Sequence, residues 1–173
     1  MTPVQLSYRI VSPAMKKHIP LYLLILLLLP QLSFGWQGKV VGISDGDTIT
    51  VMHNGKGEKI RLYGVDCPEK HQDFGNKAKK FTSNMVFGKI AEVEPVTTDR
   101  YGRTVGLVSV NGKNLNEELI RNGFAWVYTK YCNKAFCTKW YTYQDESRQK
   151  KIGLWSMPNT VPPWEFRRET AGD

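Results

Sequence analysis

Cysteine and histidine are scarce in this chain, and they form no metal-ligand spacing. Of 173 residues only Cys67, Cys132 and Cys137 are cysteine, and three are histidine. His53 and His71 complete no zinc pattern with Cys132 and Cys137, which argues against a zinc site. In an oxidising compartment Cys132 and Cys137 are close enough in sequence to close a small disulfide loop, leaving Cys67 free. Internal repeats and low-complexity arrays are missing too, so nothing points to a solenoid. A long apolar run is the last absence. Ile19 to Leu29, interrupted only by Pro20, falls short of the about 20 residues that a membrane span needs.

That short run lies between Lys16-Lys17-His18 and Pro30-Gln31-Leu32-Ser33-Phe34-Gly35, the pattern of a cleaved secretory signal over residues 1–35. An uncleaved membrane anchor is the rival reading. Met15-Lys16-Lys17 makes a compact signal start, so translation is expected to begin at Met15. The predicted location is secreted or periplasmic. Removing Arg9, Lys16 and Lys17 with the signal lowers the formal charge from +8 to +5, because 21 basic residues then face 16 acidic ones. The remainder is still basic, as suits a protein that meets polyanions, although charge alone does not separate this from plain solubility. Residues 36–156 are enough for one domain with its own core, and 157–173 form a proline-rich tail.

Short strands dominate that domain. Lys39 to Ser44 is rich in β-branched residues, Thr48 to His53 alternates, and Asn54-Gly55 signals a hairpin into Glu58 to Val65. In that third strand Ile60, Leu62 and Gly64 share one face, so Arg61 is expected to point away from the core, toward an anion. A helix follows from Phe74, with Ala78, Phe81 and Met85 on its stripe. Lys89 to Val96 and Arg103 to Val110 are two more strands, joined by the polar turn Thr97 to Gly102. Asn114 to Asn122 reads as a capped helix, with Glu117 as capping-box partner and Gly123 as its stop. Phe124 to Tyr131 is an aromatic extended run, and Thr138 to Lys151 a mostly polar helix. The tail, with Pro158, Pro162 and Pro163, is predicted irregular, pinned back by Trp164 and Phe166. The whole is an α+β, mainly β domain: a five-stranded OB-fold Greek-key barrel with about three helices.

Asp45-Gly46-Asp47 and Asp66-Cys67-Pro68-Glu69 place acids at the ends of strands, and Arg61 and Arg103 follow on neighbouring ones. Cleaving a phosphodiester takes an activated water, a cation on the phosphate oxygens and stabilisation of accumulating charge. A hard cation such as calcium takes oxygen ligands and keeps waters. Asp47, Asp66 and the backbone carbonyl of Cys67 are candidate ligands, with Asp45 orienting waters around them. Glu69 is the candidate general base, and the planar forks of Arg61 and Arg103 match phosphate oxygens. Taken singly, each motif reads as a turn, a capped loop or a solvated strand residue; the ordered set carries the claim.

The ordered motifs Ile43 to Ile49, Ile60-Arg61-Leu62, Val65 to Glu69, Thr98 to Arg103, Leu119 to Gly123 and Gly153-Leu154-Trp155 resemble the staphylococcal nuclease (thermonuclease) family. The resemblance covers nearly the whole of residues 36–156. It implies a calcium-dependent nuclease of low sequence preference acting on DNA and RNA, with single strands or frayed duplex favoured, no stable protein partner and a monomeric state. It further implies attack by water at phosphorus and 3′-phosphate products, with Asp47, Asp66 and the Cys67 carbonyl on calcium and Glu69 as base. Where the family often has threonine this chain has Cys67, which puts a thiol beside the site, open to oxidation if exposed. Arg100 and Tyr101 occupy the turn that approaches a terminal phosphate and base, and Tyr131 resembles a tyrosine of that pocket, with Tyr128 an equal alternative. Trp126 reads as core, and Lys77, Lys79 and Lys80 as a solvated helix face. The rival function is a non-catalytic OB-fold binding module, but such relatives lose the acids and arginines that this chain keeps.

Overall fold

The computed structural model describes residues 35–172. The signal segment and the Met15 start therefore fall, apart from Gly35, outside the described residues. Among those described, no helix is long and apolar enough to cross a membrane.

Among the described residues, eight strands and four α-helices follow one another as β1 (Trp36–Ile43), β2 (Thr48–His53), β3 (Lys56–Leu62), β4 (Val65–Asp66), α1 (Gly75–Val86), β5 (Ile90–Thr98), β6 (Thr104–Val110), β7 (Lys113–Asn114), α2 (Leu115–Arg121), β8 (Trp126–Val127), α3 (Cys137–Gln149) and α4 (Pro163–Thr170). The main sheet runs β3-β2-β1-β5-β6-β7, and a second pairing of β3 with β6 closes it into a barrel. That closing seam is parallel, matching Ile60 with Thr104, Arg61 with Val105 and Leu62 with Gly106. Buried Asn116 fastens it: its amide donates to the carbonyls of Tyr63 and Gly106 and accepts from Val108 N–H. Inside, β-branched and leucine side chains such as Val40, Ile49, Val51, Ile60, Leu62 and Val108 form one apolar core with α1, α2 and Trp140 of α3.

The local punctuation explains the helix ends. Asn114 caps α2 by accepting from Glu117 N–H at 3.0 Å. The side chain of Glu117 takes up the Trp140 indole N–H, at 3.2 Å, in place of completing a capping box. Gly123 stops α2 with φ of +64°, and a Cβ there would stand 2.2 Å from the carbonyl oxygen of Ile152, so only glycine fits.

Two expectations change. The extended run Phe124 to Tyr131 contains only the two-residue strand β8, because the chain turns immediately afterwards. The tail is not irregular throughout. Pro163 opens α4 as its first residue, where a missing N–H costs nothing. This adds a fourth helix to the three expected. Trp164 does pin it, stacking on Tyr128 with ring centroids 5.2 Å apart and meeting Trp126 edge-on. Cys132 and Cys137 are joined in a disulfide, and Cys67 is free and buried.

Candidate active site

Asp47 takes its place from a glycine. The turn Asp45-Gly46-Asp47 lies so close to the chain that a Cβ on Gly46 would be 2.7 Å from Cys67 Cβ and 2.9 Å from Ala78 Cβ. The hydroxyl of Thr82 in α1 donates to the Gly46 carbonyl at 2.6 Å, and Asp45 Oδ1 accepts Asp47 N–H at 3.0 Å. Asp47 is thereby carried into the barrel wall beside β3, where Cys67 N–H donates to its Oδ2 at 2.6 Å. Thr82 carried no sequence signal, being one polar residue on a helix.

Arg61 lies between the carboxylates. The β2–β3 register sets Thr48 opposite Arg61, so Asp47 adjoins the strand end from which the guanidinium reaches. Nη1 donates to Asp47 Oδ1, and Nη2 to Asp66 Oδ1 at 2.7 Å. Arg61, between the core residues Ile60 and Leu62, is not left to solvent: its side chain is only 20 % exposed and is held by Asp47 and Asp66. β3 ends at Leu62, Gly64 turns the chain with φ of +69°, and β4 folds back to pair with β8. Tyr63, Val65 and Asp66 are therefore buried as well, and this end of β3 is covered on both faces. Burial works against the Arg61 charge, but Asp47 and Asp66 raise its affinity for the proton above the ordinary arginine value. Burial likewise pushes the Asp47 carboxyl well above its usual range, with Arg61 pulling the other way.

Glu69 stands on a loop with its own fastenings. Gln72 accepts from Glu69 N–H at 3.1 Å and returns its own N–H to the Glu69 carbonyl at 2.9 Å. Gly75 passes so close to that carbonyl that a Cβ would sit 1.8 Å from it. Arg167 of α4 was not anticipated. Its Nη2 donates to Asp66 Oδ2 at 2.7 Å, and its Nη1 to Glu69 Oε1 at 2.6 Å and Asp66 Oδ1 at 3.2 Å. Partial burial opposes its charge, yet the bonds to Asp66 and Glu69 hold its proton more firmly than usual.

Arg103 is placed by Asp99. Oδ1 of Asp99 accepts the N–H groups of Tyr101 and Arg103 at 2.9 and 3.0 Å, and Oδ2 accepts Arg103 Nε at 2.7 Å. The parallel seam then brings Arg103, just before β6, to the same mouth of the barrel as Arg61. Burial tends to raise the Asp99 carboxyl, but the hydrogen bonds from Arg103 and Tyr101 leave it below its ordinary value. Its stabilisation is thus complete above the unfolded value of about 4 and is lost as pH falls through the lower folded value. Thermal unfolding between about pH 5 and 2 is expected to be less pH-dependent in Asp99→Asn than in the parent.

These groups surround one cleft of about 990 Å³, lined by Asp45, Asp47, Arg61, Glu69, Arg103 and Arg167 among others. Asp66, fully buried, lies directly behind its two arginines. Arg100 and Tyr101 reach the rim, where Arg100 Nη2 donates to the Tyr101 hydroxyl at 2.6 Å and Tyr101 is 68 % exposed. Tyr131 also lines the cleft and is 52 % exposed, whereas one face of Tyr128 is taken by Trp164. Trp126 packs in a cluster with Leu154 and Trp155. The Cys67 thiol is buried rather than open to oxidants, and burial, with Asp47 beside it, pushes its pKa well up.

As donors for a metal, Asp47 and Asp66 are two carboxylates joined through one cation, an oxygen set of the kind hard divalent ions take. Asp45 is engaged in its own turn, and among the described residues no three acidic, His or Cys side chains form a ready-made metal cage. A backbone carbonyl, water or substrate oxygens are the remaining donors for any coordination.

The sequence profile described as staphylococcal nuclease homologue matches residues 59–157. An uncharacterized endonuclease of Escherichia coli O157:H7 is 42 % identical over 154 residues, covering 88 % of this chain and 98 % of the relative. The chain belongs to the staphylococcal nuclease family. A micrococcal nuclease of Shigella flexneri is 37 % identical over 142 residues, covering 77 % of this chain and 81 % of its own. A staphylococcal-like nuclease of Arabidopsis thaliana, CAN1, is 41 % identical over 114 residues, 66 % of this chain but 34 % of the plant protein. As a staphylococcal nuclease homologue, the protein is a hydrolase, an endonuclease acting on nucleic acid, in a family whose members generally need a metal.

Proposed function

We propose that this nuclease is calcium-dependent, cuts DNA and RNA with little sequence preference, and leaves 3′-phosphate ends. The observation that carries the reading is the convergence of Asp47, Glu69, Arg61 and Arg103 on one cleft, with Asp66 immediately behind it. Asp47 and Asp66 would hold the ion, with the Cys67 carbonyl available from the same loop. Calcium bound there would polarise the phosphate oxygens and offset their charge.

The chain's own groups do the rest. Glu69 accepts a proton from the attacking water, whose oxygen joins phosphorus as the bond to the 5′ oxygen breaks. Arg61 and Arg103 offer forked donors to the charge that accumulates on phosphate, Arg103 on the side of the leaving oxygen. Exposed Tyr101 and Tyr131 at the rim offer π-faces to unpaired bases of any identity, which supports a preference for single strands or frayed duplex. The disulfide and the signal-like segment support action in the periplasm or outside the cell.

The test is digestion of plasmid and of single-stranded oligonucleotides with calcium, with chelator, and by Glu69→Ala, with end analysis of the products. Cutting in calcium that stops in chelator and is lost in Glu69→Ala is expected. Undiminished cutting in chelator would defeat the metal mechanism. By calorimetry Asp47→Ala is expected to lose calcium binding more severely than Asp45→Ala, since Asp47 shares the Arg61 guanidinium with Asp66 whereas Asp45 is engaged in its own turn.

A further inference from the structure

Asp66 presents an electrostatic puzzle. Its carboxylate is fully buried, and both oxygens are already engaged by Arg61 and Arg167. A buried carboxylate without a counter-charge is strongly unfavourable, and these two guanidinium groups supply the opposite charge here. They also mean that no cation can reach Asp66 until one arginine gives way.

The two are not equally able to do so. Arg61 extends from the end of a barrel strand, is 20 % exposed, and serves Asp47 as well as Asp66. Arg167 is 40 % exposed and reaches the site from α4, outside the barrel. The helix itself is firmly seated by the Trp164–Tyr128 stack, and the segment before it is tied to the Glu69 loop by Gln72 Nε2 donating to the Val161 carbonyl at 2.6 Å. The anchored helix delivers a long side chain whose tip alone has to move. Its second contact, to Glu69, keeps that carboxylate beside Asp66 in spite of their like charge.

We propose that Arg167 is the internal counter-cation of the carboxylate site: it neutralises Asp66 and Glu69 in the cation-free protein and yields Asp66 when a divalent cation binds. Arg167 is in this sense a positioning residue, holding the site assembled and setting how readily it accepts metal. The inference rests on the reading of Asp47 and Asp66 as cation ligands.

Calcium chloride titrated into the whole protein by calorimetry, without nucleic acid, tests it. Arg167→Gln removes the competing charge and is expected to bind calcium roughly tenfold more tightly, the exposed side of the pair moderating the effect. Arg167→Lys keeps the charge and should return most of the way to the parent. Arg168→Gln loses the same charge one residue along, from a side chain 74 % exposed and 3.8 Å from Glu165, and should stay within about twofold of the parent. Equal or weaker binding by a folded Arg167→Gln would overturn the counter-cation while leaving the metal site intact; a parent that takes up no calcium would overturn both. If Arg167→Gln does not fold, the ¹⁵N-detected Arg167 Nε–H signal of the parent, assigned by its absence in Arg167→Lys, decides. A shift and faster solvent exchange on adding calcium are expected, and an unmoved signal would refute the proposal.

Discussion

Arg61→Ala, unfolded in chelator, is expected to be about 3–5 kcal/mol less stable than the parent. The loss follows from what remains behind. Asp47 and Asp66 are almost completely buried, and Arg61 is the cation they share. Alanine leaves two carboxylates close together without it. A domain of this size has only about 5–15 kcal/mol in total, so the midpoint should fall by roughly 10 °C or more. The penalty has a pH signature. Burial already raises the Asp47 carboxyl above its unfolded value, and without Arg61 it rises further. A raised acid contributes its stability below the unfolded value and loses it as pH climbs through the folded one. The deficit of the variant should therefore grow from acid toward neutral pH. Chemical denaturation at several pH values checks it, and a deficit under about 1 kcal/mol at neutral pH would mean that Arg61 is not the charge holding the pair together.

Arg103→Ala should show the opposite profile, with turnover of a short oligonucleotide about 10²–10³-fold lower and stability nearly unchanged. Losing one preorganised donor to transition-state charge costs about 3–4 kcal/mol of activation free energy. Among the described residues its only ion pair is with Asp99, and both partners keep some solvent contact, 30 % and 19 %, so that the pair adds on the order of 1 kcal/mol or less to folding. Single-turnover rates at saturating calcium, set beside thermal unfolding, separate the two effects. Turnover within tenfold of the parent would remove Arg103 from the chemistry. A midpoint as low as that of Arg61→Ala would assign it to structure. The two arginines look equivalent as forks on adjacent strands, yet only one is part of a buried network.

That difference is where sequence reading reaches its limit. The acids were legible because each sits in a short local pattern, Asp45-Gly46-Asp47 and Asp66-Cys67-Pro68-Glu69, at the end of an alternating run. Five strands were legible from period two, with Asn54-Gly55 and Asn111-Gly112 marking turns of positive φ. Alternation, however, assigns one covered face to a strand. At the end of β3 the chain folds back as β4 and covers the other, so alternation gives the direction of Arg61 but not its burial between two carboxylates. Arg167 escaped for a different reason: its partners Asp66 and Glu69 are 101 and 98 residues away, beyond any local pattern. The prolines around it suggested irregular chain, although a proline is also a common first residue of a helix. Tyr128 and Tyr131 are equal candidates in sequence because only the neighbouring Trp164 distinguishes a covered ring from a free one.

The parallel seam between β3 and β6 also governs when the site comes into being. Hairpin β2–β3 and hairpin β5–β6 are each local and can form early, each carrying one arginine at its end. Arg61 and Arg103 become neighbours only when Ile60 finds Thr104, a contact of long sequence separation and thus slow to close. During refolding, helix and hairpin signals would mature ahead of nuclease activity, and the return of activity would time barrel closure itself.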